Sequence, residues 1–146
     1  MISVKLFSVM LALGILASLT ACCPIPGTPV TTTQIEDITW KLASYGDRTS
    51  PQNIIAGTEV TVLFRSADGT TQGTGGCNGY GGSYEISGTR LTISELISTK
   101  MYCTSPAGVS EQETSYLEIL QAADSFQVSG GKLQINSGDR VLVYTR

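Results

Sequence analysis

Cysteine is the residue type in this chain with the widest chemistry, because a thiolate can attack carbon, bind a metal or form a disulfide. The 146 residues include four cysteines, namely Cys22, Cys23, Cys77 and Cys103, and no histidine. Without histidine, neither a Cys–His nor a Ser–His catalytic pair can form, and the commonest nitrogen ligand of metals is missing. Two lone cysteines in the body of the chain also cannot complete a zinc site. We therefore expect no enzymatic activity, no cofactor and no metal.

Cys22 stands in a different sequence context from Cys77 and Cys103. Residues 6–19 carry no charge, follow Lys5, and lead into Leu19-Thr20-Ala21-Cys22, where small residues precede the cysteine. Fourteen helical residues reach about 21 Å, less than the roughly 30 Å hydrocarbon core of a bilayer. The segment predicts a lipoprotein signal peptide over residues 1–21, which is cleaved and leaves a lipid on Cys22. The alternative is an ordinary secretory signal, after which Cys22 remains a plain thiol.

Residues 22–35 are rich in proline and threonine, a composition typical of a tether; the alternative is a partly ordered arm. Residues 36–146 are enough for one domain with a core and too few for two. The nine basic and twelve acidic residues of the whole chain are scattered, so we expect no nucleic-acid partner. The sequence thus predicts an exported protein of the cell envelope, attached to a membrane through the lipid on Cys22.

Cys77 and Cys103 are the two cysteines of the predicted domain. An exported domain meets surroundings that are not reducing, and cysteine pairs become disulfides there, so we expect these two to be bridged. The alternative is a reactive Cys77 thiol, activated by backbone N–H groups of the glycine-rich stretch around it.

That stretch, residues 73–82, contains six glycines beside Cys77 and Asn78. It lacks the Lys-Ser/Thr ending of a phosphate-binding loop and precedes a predicted strand instead of a helix, which disfavours a phosphate site. We interpret the glycines as geometric, serving a tight turn, a bulge or a close strand approach, beside an Asn78 that tolerates a left-handed conformation.

The elements that position these residues are mostly strands. Short runs rich in Val, Ile, Thr, Tyr or Phe end at turn signals such as Asp68-Gly69 and Ser87-Gly88. They predict strands near residues 40–45, 59–66, 70–74, 82–86, 90–93, 98–102, 125–128, 132–135 and 141–145. One α-helix is predicted over about 110–123, with Ser110 and Glu113 as its capping box. Sequential hairpins favour a mainly β fold, a single strongly curved, barrel-like antiparallel sheet with one helix.

An ordered set of residues in this domain carries a family resemblance. The set is Trp40-x-Leu42, Gly76-Cys77-Asn78-x-Tyr80-x-Gly82-x-Tyr84, Ser98-Thr99-Lys100-Met101-x-Cys103 and Glu113-x-x-Tyr116-Leu117-x-x-Leu120. It resembles the META domain, also described as HslJ-like, over roughly residues 36–146. The resemblance implies a small mainly β domain with one helix, frequent in envelope lipoproteins, linked to heat-shock and antibiotic-stress responses and without an established enzymatic activity. Tyr102 departs from it, since a small residue is typical before Cys103.

The sequence also suggests a polar patch beside Cys77 that could offer hydrogen-bond donors and an aromatic face to a ligand. Its candidate residues are Asn78, Tyr80, Tyr84, Ser98, Thr99 and Lys100. The function expected is a stress-related interaction or support module that contacts another envelope protein; the alternative is a small-ligand carrier. A wide apolar cavity inside the barrel would favour the carrier, and a filled core the interaction module.

Overall fold

A computed structural model of the chain describes residues 34–146. The predicted signal peptide, most of the predicted tether, Cys22 and Cys23 lie outside these residues. Ile35, which the sequence assigned to the tether, is fully buried, and the Trp40 indole Nε1 donates a hydrogen bond to the Ile35 carbonyl at 3.0 Å. Ile35, at the end of the predicted tether, therefore packs into the core.

Nine strands and one helix make up the described chain. They are β1 (Thr39–Asp47), β2 (Gln52–Asn53), β3 (Thr61–Arg65), β4 (Thr70–Thr74), β5 (Gly79–Ser87), β6 (Arg90–Ser98), α1 (Val109–Gln121), β7 (Ser125–Ser129), β8 (Lys132–Ser137) and β9 (Arg140–Thr145). No helix within residues 34–146 has the length and apolar character needed to cross a membrane.

The strands form one antiparallel sheet in which β3 to β9 follow each other in chain order. Pairing between β1 and β9 closes the sheet into a ring, and the short β2 extends β1 at its side. The predicted hairpin turns carry glycines at positive φ, including Gly69, Gly88 and Gly138. The expectation of a mainly β, barrel-like meander with one helix is confirmed.

The weakest junction of the ring lies between β6 and β7, whose ladder contains the single pair Arg90↔Ser125. Helix α1 covers this junction. The Gln121 side chain donates to the Ile93 carbonyl at 2.9 Å and accepts from the Leu96 N–H at 3.3 Å. One side-chain amide thus serves part of the β6 edge in the way that a neighbouring strand would.

The interior of the barrel is filled by side chains, the largest of which are aromatic. Trp40, Phe64, Tyr116, Phe126 and Tyr144 are each buried to within 2% of full burial. The buried tyrosine hydroxyls contact one another, because the Tyr116 hydroxyl lies 3.3 Å from that of Tyr144 and 2.6 Å from that of Tyr80. The core is therefore apolar around a small, satisfied polar centre.

Two features of the element prediction were wrong. The predicted strand at 98–102 does not exist, since β6 ends at Ser98 and the Met101 N–H donates to the Asn78 side chain instead of a neighbouring strand. The predicted capping box is also absent. Helix α1 begins after Gly108, which has a φ of 84° and supplies no side-chain cap. Ser110 instead donates through Oγ to the Cys103 carbonyl at 3.1 Å.

Candidate functional site

A disulfide joins the turn between β4 and β5 to the segment that connects β6 with α1. Cys77 and Cys103 are bridged, with 5.9 Å between their Cα atoms, so the predicted bridge is confirmed and the free Cys77 thiol of the alternative is not present. The bridge closes a loop with a sequence separation of 26 residues. In the chain-entropy model such a closure stabilises the fold by about 3 to 4 kcal/mol.

The turn that contains Cys77 is folded around the carboxylate of Glu113. One carboxylate oxygen accepts the N–H groups of Cys77 at 3.1 Å and Asn78 at 2.6 Å, and the other accepts the Asn78 side-chain amide at 2.7 Å. Glu113 is only 8% exposed, so these three bonds compensate the removal of its charge from water. A Cβ at Gly75 would lie 2.6 Å from the Glu113 Cγ, so glycine is needed for the turn to close on the carboxylate.

The Asn78 side chain holds the segment that follows β6. Its Oδ1 accepts the Met101 N–H at 2.7 Å and the Thr99 hydroxyl at 2.9 Å, while its Nδ2 donates to the Met101 carbonyl at 3.1 Å. Asn78 is buried, and its φ is not positive, so the left-handed conformation that asparagine tolerates is not adopted here. The amide is used for its paired donor and acceptor, which bind a peptide unit as a strand would.

This arrangement presents three apolar side chains to solvent on what we call the bridged segment, residues 97–103. Ile97 is 74% exposed, Met101 63% and Tyr102 87%. They are the large exposed apolar side chains of residues 34–146. Their segment is held at one end by the disulfide to Cys103 and in its middle by Asn78. Tyr102, the departure from the family pattern, points to water and causes no packing conflict.

The six residues of the predicted polar patch do not form one open surface. Asn78, Ser98, Thr99 and Lys100 line a surface pocket of about 510 Å³. The remaining two tyrosines are in the core, where the Tyr80 hydroxyl donates to the Thr61 carbonyl at 2.8 Å and the Tyr84 hydroxyl to Glu36 at 2.6 Å. Asn78 offers no free donor, because its amide is already bonded internally. What remains accessible is Ser98, Thr99 and Lys100.

Sequence reasoning missed Glu113, which it interpreted as part of a helix cap. A signal for its true position was present: Glu113, Tyr116 and Leu120 follow the spacing of a single helix face, and that face is buried. An acid on an apolar face needs a partner inside the protein, whereas an acid used for capping belongs at the exposed helix start. Within residues 34–146, no group of cysteine and acidic side chains is arranged to hold a metal ion.

Comparison with known proteins shows which family model and which solved structures the chain matches. A sequence model described as META domain matches residues 33–146. No curated protein matches the chain. An NMR structure of a protein from Burkholderia xenovorans superposes with a TM-score of 0.67 at 24% identity, covering 86% of this chain and 92% of that one. A second NMR structure gives 0.61 at 22% identity, covering 80% of this chain and 94% of that chain.

A crystal structure of a protein of the DUF4847 family from Bacteroides vulgatus has a TM-score of 0.55 at 14% identity, with coverage of 77% of this chain and 94% of that one. At these identities the structural likeness shows a shared fold. The fold is therefore common to proteins whose sequences have diverged widely.

Proposed function

The chain belongs to the META domain family, and from this premise we propose that it is a non-enzymatic interaction module that binds another envelope protein through the bridged segment. The observation that carries the proposal is the exposure of Ile97, Met101 and Tyr102 on a segment held by a disulfide and by the Asn78 amide. Large apolar side chains that are exposed together on one short segment are typical of an interaction surface. The stress-related setting of the module rests on the family resemblance.

The bridged segment has the properties of a preorganised binding surface. Tyrosine and methionine are enriched at protein interfaces, and a few such side chains supply most of the binding free energy. Ordering a loop on binding costs affinity, and here the disulfide and the hydrogen bonds of Asn78 have already ordered it. The surface can therefore bind a partner without first losing conformational entropy.

The filled core supports this function over the alternative of a small-ligand carrier. A carrier of the barrel type holds its ligand in the lumen, and the lumen of this barrel contains Trp40, Phe64 and Tyr116. The pocket of about 510 Å³ beside the bridge is lined by Lys100, Met101 and the exposed side of α1. Its position beside the bridged segment fits a surface contact.

We further propose that the module is attached to a membrane through lipid on Cys22, as the segment Leu19-Thr20-Ala21-Cys22 indicates. The middle of the bridged segment and Glu36, which is near the start of the described residues, lie at opposite ends of β5. Glu36 contacts Tyr84, whereas the Thr99 N–H donates to the carbonyl of Gly79 at 3.0 Å, at the start of β5. Gly79 and Tyr84 are about 17 Å apart along an extended strand.

The lipid attachment is tested by metabolic labelling with an alkyne fatty acid in cells that express the full chain. Wild type and the Cys23→Ser variant should incorporate the label and lose residues 1–21, as read by mass spectrometry. Cys22→Ser should remain unlabelled and keep the signal peptide, because the thioether cannot form. Label that persists in Cys22→Ser, or that is absent from wild type, contradicts the attachment site.

The interaction is tested by placing a photoreactive amino acid at single positions of the full chain in its native envelope. Positions 97, 101 and 102 should each give a covalent adduct with the same protein. Position 132 is the matched control, because Lys132 is also exposed but lies on β8, and it should give no such adduct. Adducts that are equal at all four positions, or that contain only lipid, would contradict the proposal.

A further inference from the structure

A second surface feature lies next to the bridged segment and shares Ile97, Ser98 and Thr99 with it. An open groove of about 880 Å³ runs across the outer face of β1, β3, β4, β5 and β6. We call it the outer groove. Residues that line it include Thr39, Leu63, Gln72, Gly79, Gly81 and Ile97. Four of them, Leu63, Gln72, Gly81 and Ile97, are consecutive partners in the strand ladders, so the groove crosses the strands.

The floor of the outer groove consists of two glycines that the fold does not require. A Cβ at Gly79 would lie 3.8 Å from its nearest heavy atom, and one at Gly81 would lie 3.6 Å away, both ordinary contacts. Neither glycine has a positive φ. Gly73 and Gly82 differ, since a Cβ there would lie 2.0 Å and 2.8 Å from a neighbouring carbonyl oxygen.

Glycine inside a strand weakens it and marks a bulge, such as the one beside Gly81, a sharp bend, or a place where a ligand or another backbone comes close. The last of these requires free space above the glycine. Gly79 and Gly81 satisfy this condition, because a side chain at either position would project into the groove and would meet no strain in the fold. Because these two glycines have no side chains, the backbone of β5 is accessible to a bound molecule.

A single carboxylate stands at the rim of the groove. The β5–β6 ladder changes register between Gly81 and Ser83, and the resulting bulge contains Glu95, whose φ is 54°. Bulges of this kind redirect a side chain, and here Glu95 lines the groove. Within residues 34–146 the Glu95 carboxylate takes part in none of the salt bridges, which join Lys41 to Glu59, Arg65 to Asp68 and Arg140 to Glu118.

We infer that the outer groove binds an extended polypeptide segment of the partner. Apolar side chains of that segment pack against Leu63 and Ile97, and one of its lysine or arginine side chains pairs with the Glu95 carboxylate. The inference rests on the proposed function, and it specifies the chemistry of the partner that the bridged segment binds. The charge of Glu95 complements a basic residue, and the glycine floor admits a backbone. The groove is open on one side, which suits a chain that stays partly in water; sites for small molecules bury most of the ligand.

The test uses the full chain, labelled with ¹⁵N and held in detergent, and two capped heptapeptide mixtures. Both mixtures carry random Val, Ile, Leu or Thr on either side of a fixed central residue, which is lysine in one and norleucine in the other. The lysine mixture should shift the amide resonances of Gly79, Gly81 and Ile97 and bind at least tenfold more tightly than the norleucine mixture. Decylammonium, a small amphiphilic cation, should bind at least tenfold more weakly than the lysine mixture.

Two variants test whether the peptides bind in the outer groove. Gly81→Val fills the floor at a position with room for a Cβ, and Glu95→Gln removes the charge; each should weaken binding of the lysine mixture at least tenfold. Glu85→Gln is the matched control, because Glu85 is exposed on β5 but does not line the groove, and it should bind like wild type. A thermal melt of each variant reports that it is folded.

Several results would overturn the inference. One is that neither mixture shifts the amide resonances at millimolar concentration, and another is that the two mixtures bind equally. A third is that the folded Gly81→Val variant binds as wild type does, and a fourth is that decylammonium binds as tightly as the peptides. The proposed function would survive each of them if the photoreactive residue at position 102 still captures its partner. A lost adduct at position 102 with intact peptide binding would instead contradict the proposed function alone.

Discussion

Replacement of Glu113 by alanine is expected to lower the free energy of unfolding by about 5 kcal/mol, since it leaves buried donors without an acceptor. The carboxylate accepts two backbone N–H groups and the Asn78 amide, and all three donors lose this acceptor in the variant. Urea denaturation of the full chain in detergent, followed by tryptophan fluorescence, measures the loss, because Trp40 is the only tryptophan.

Glu111→Ala is the matched control for this prediction. Glu111 is in the first turn of the same helix and is exposed, so its replacement should cost no more than about 1 kcal/mol through the helix dipole. Glu113→Gln keeps one acceptor oxygen and should lose less than the alanine variant, which gives a folded comparison if Glu113→Ala does not fold. Equal stability of the Glu111 and Glu113 variants would show that the carboxylate does not hold the turn.

Stability is expected to fall steeply above pH 10. Burial raises the pKa of Tyr80, Tyr116 and Tyr144 well above the ordinary tyrosine range, and the pKa values of Tyr45 and Tyr84 shift in the same direction. In the unfolded chain tyrosine ionises near pH 10, so above that pH the folded state binds more protons than the unfolded state. The free energy of unfolding then decreases with pH, by about 4 kcal/mol per pH unit for three tyrosines that stay protonated.

Urea titrations at intervals of half a pH unit between pH 9 and pH 11.5 measure this slope. The Tyr144→Phe variant provides the control, because Tyr144 makes a single side-chain hydrogen bond, to the Tyr116 hydroxyl, and its loss leaves the bond between Tyr80 and Tyr116 in place. Its slope should be smaller by about 1.4 kcal/mol per pH unit. A stability that is flat above pH 10 would mean that the tyrosines ionise equally in both states.

The elements of the fold were predictable where they depend on neighbours in the sequence. Hairpins need a turn residue at a fixed place, and the glycines at 69, 88 and 138 have the positive φ that the turn signals indicated. The strand predicted at 70–74 coincides with β4. A meander of this length must hide its two edges, either by closing into a barrel or by covering an open side with the helix. The barrel-like sheet was favoured, and pairing of β1 with β9 provides the closure.

The candidate site was less predictable, because its contacts join residues far apart in the sequence. The disulfide followed from export and a cysteine count, but the bond between Asn78 and Glu113 spans 35 residues and has no local signal. The residue types of segment 98–102 favour a strand, so the sequence predicts Met101 within one. The competing partner was the Asn78 side chain, which binds the Met101 peptide unit and ends the strand.

Tyr80 and Tyr84 illustrate a related limit. Their hydroxyls were assigned to an accessible patch, yet both side chains point into the barrel from β5. Residues on one strand alternate between the two faces of the sheet. On β5 the positions that alternate with the tyrosines are mostly glycines, which have no side chain to indicate which face is buried.

The most direct test of the central claim, that the bridged segment is a protein-binding surface, is the affinity of the full chain for the purified protein captured at position 102. Replacement of Met101 and Tyr102 together by serine should raise the dissociation constant at least about 30-fold, as expected for residues that dominate an interface. Lys132→Ser should leave the constant unchanged. An equal affinity of wild type and the double variant, at equal thermal stability, would contradict the claim.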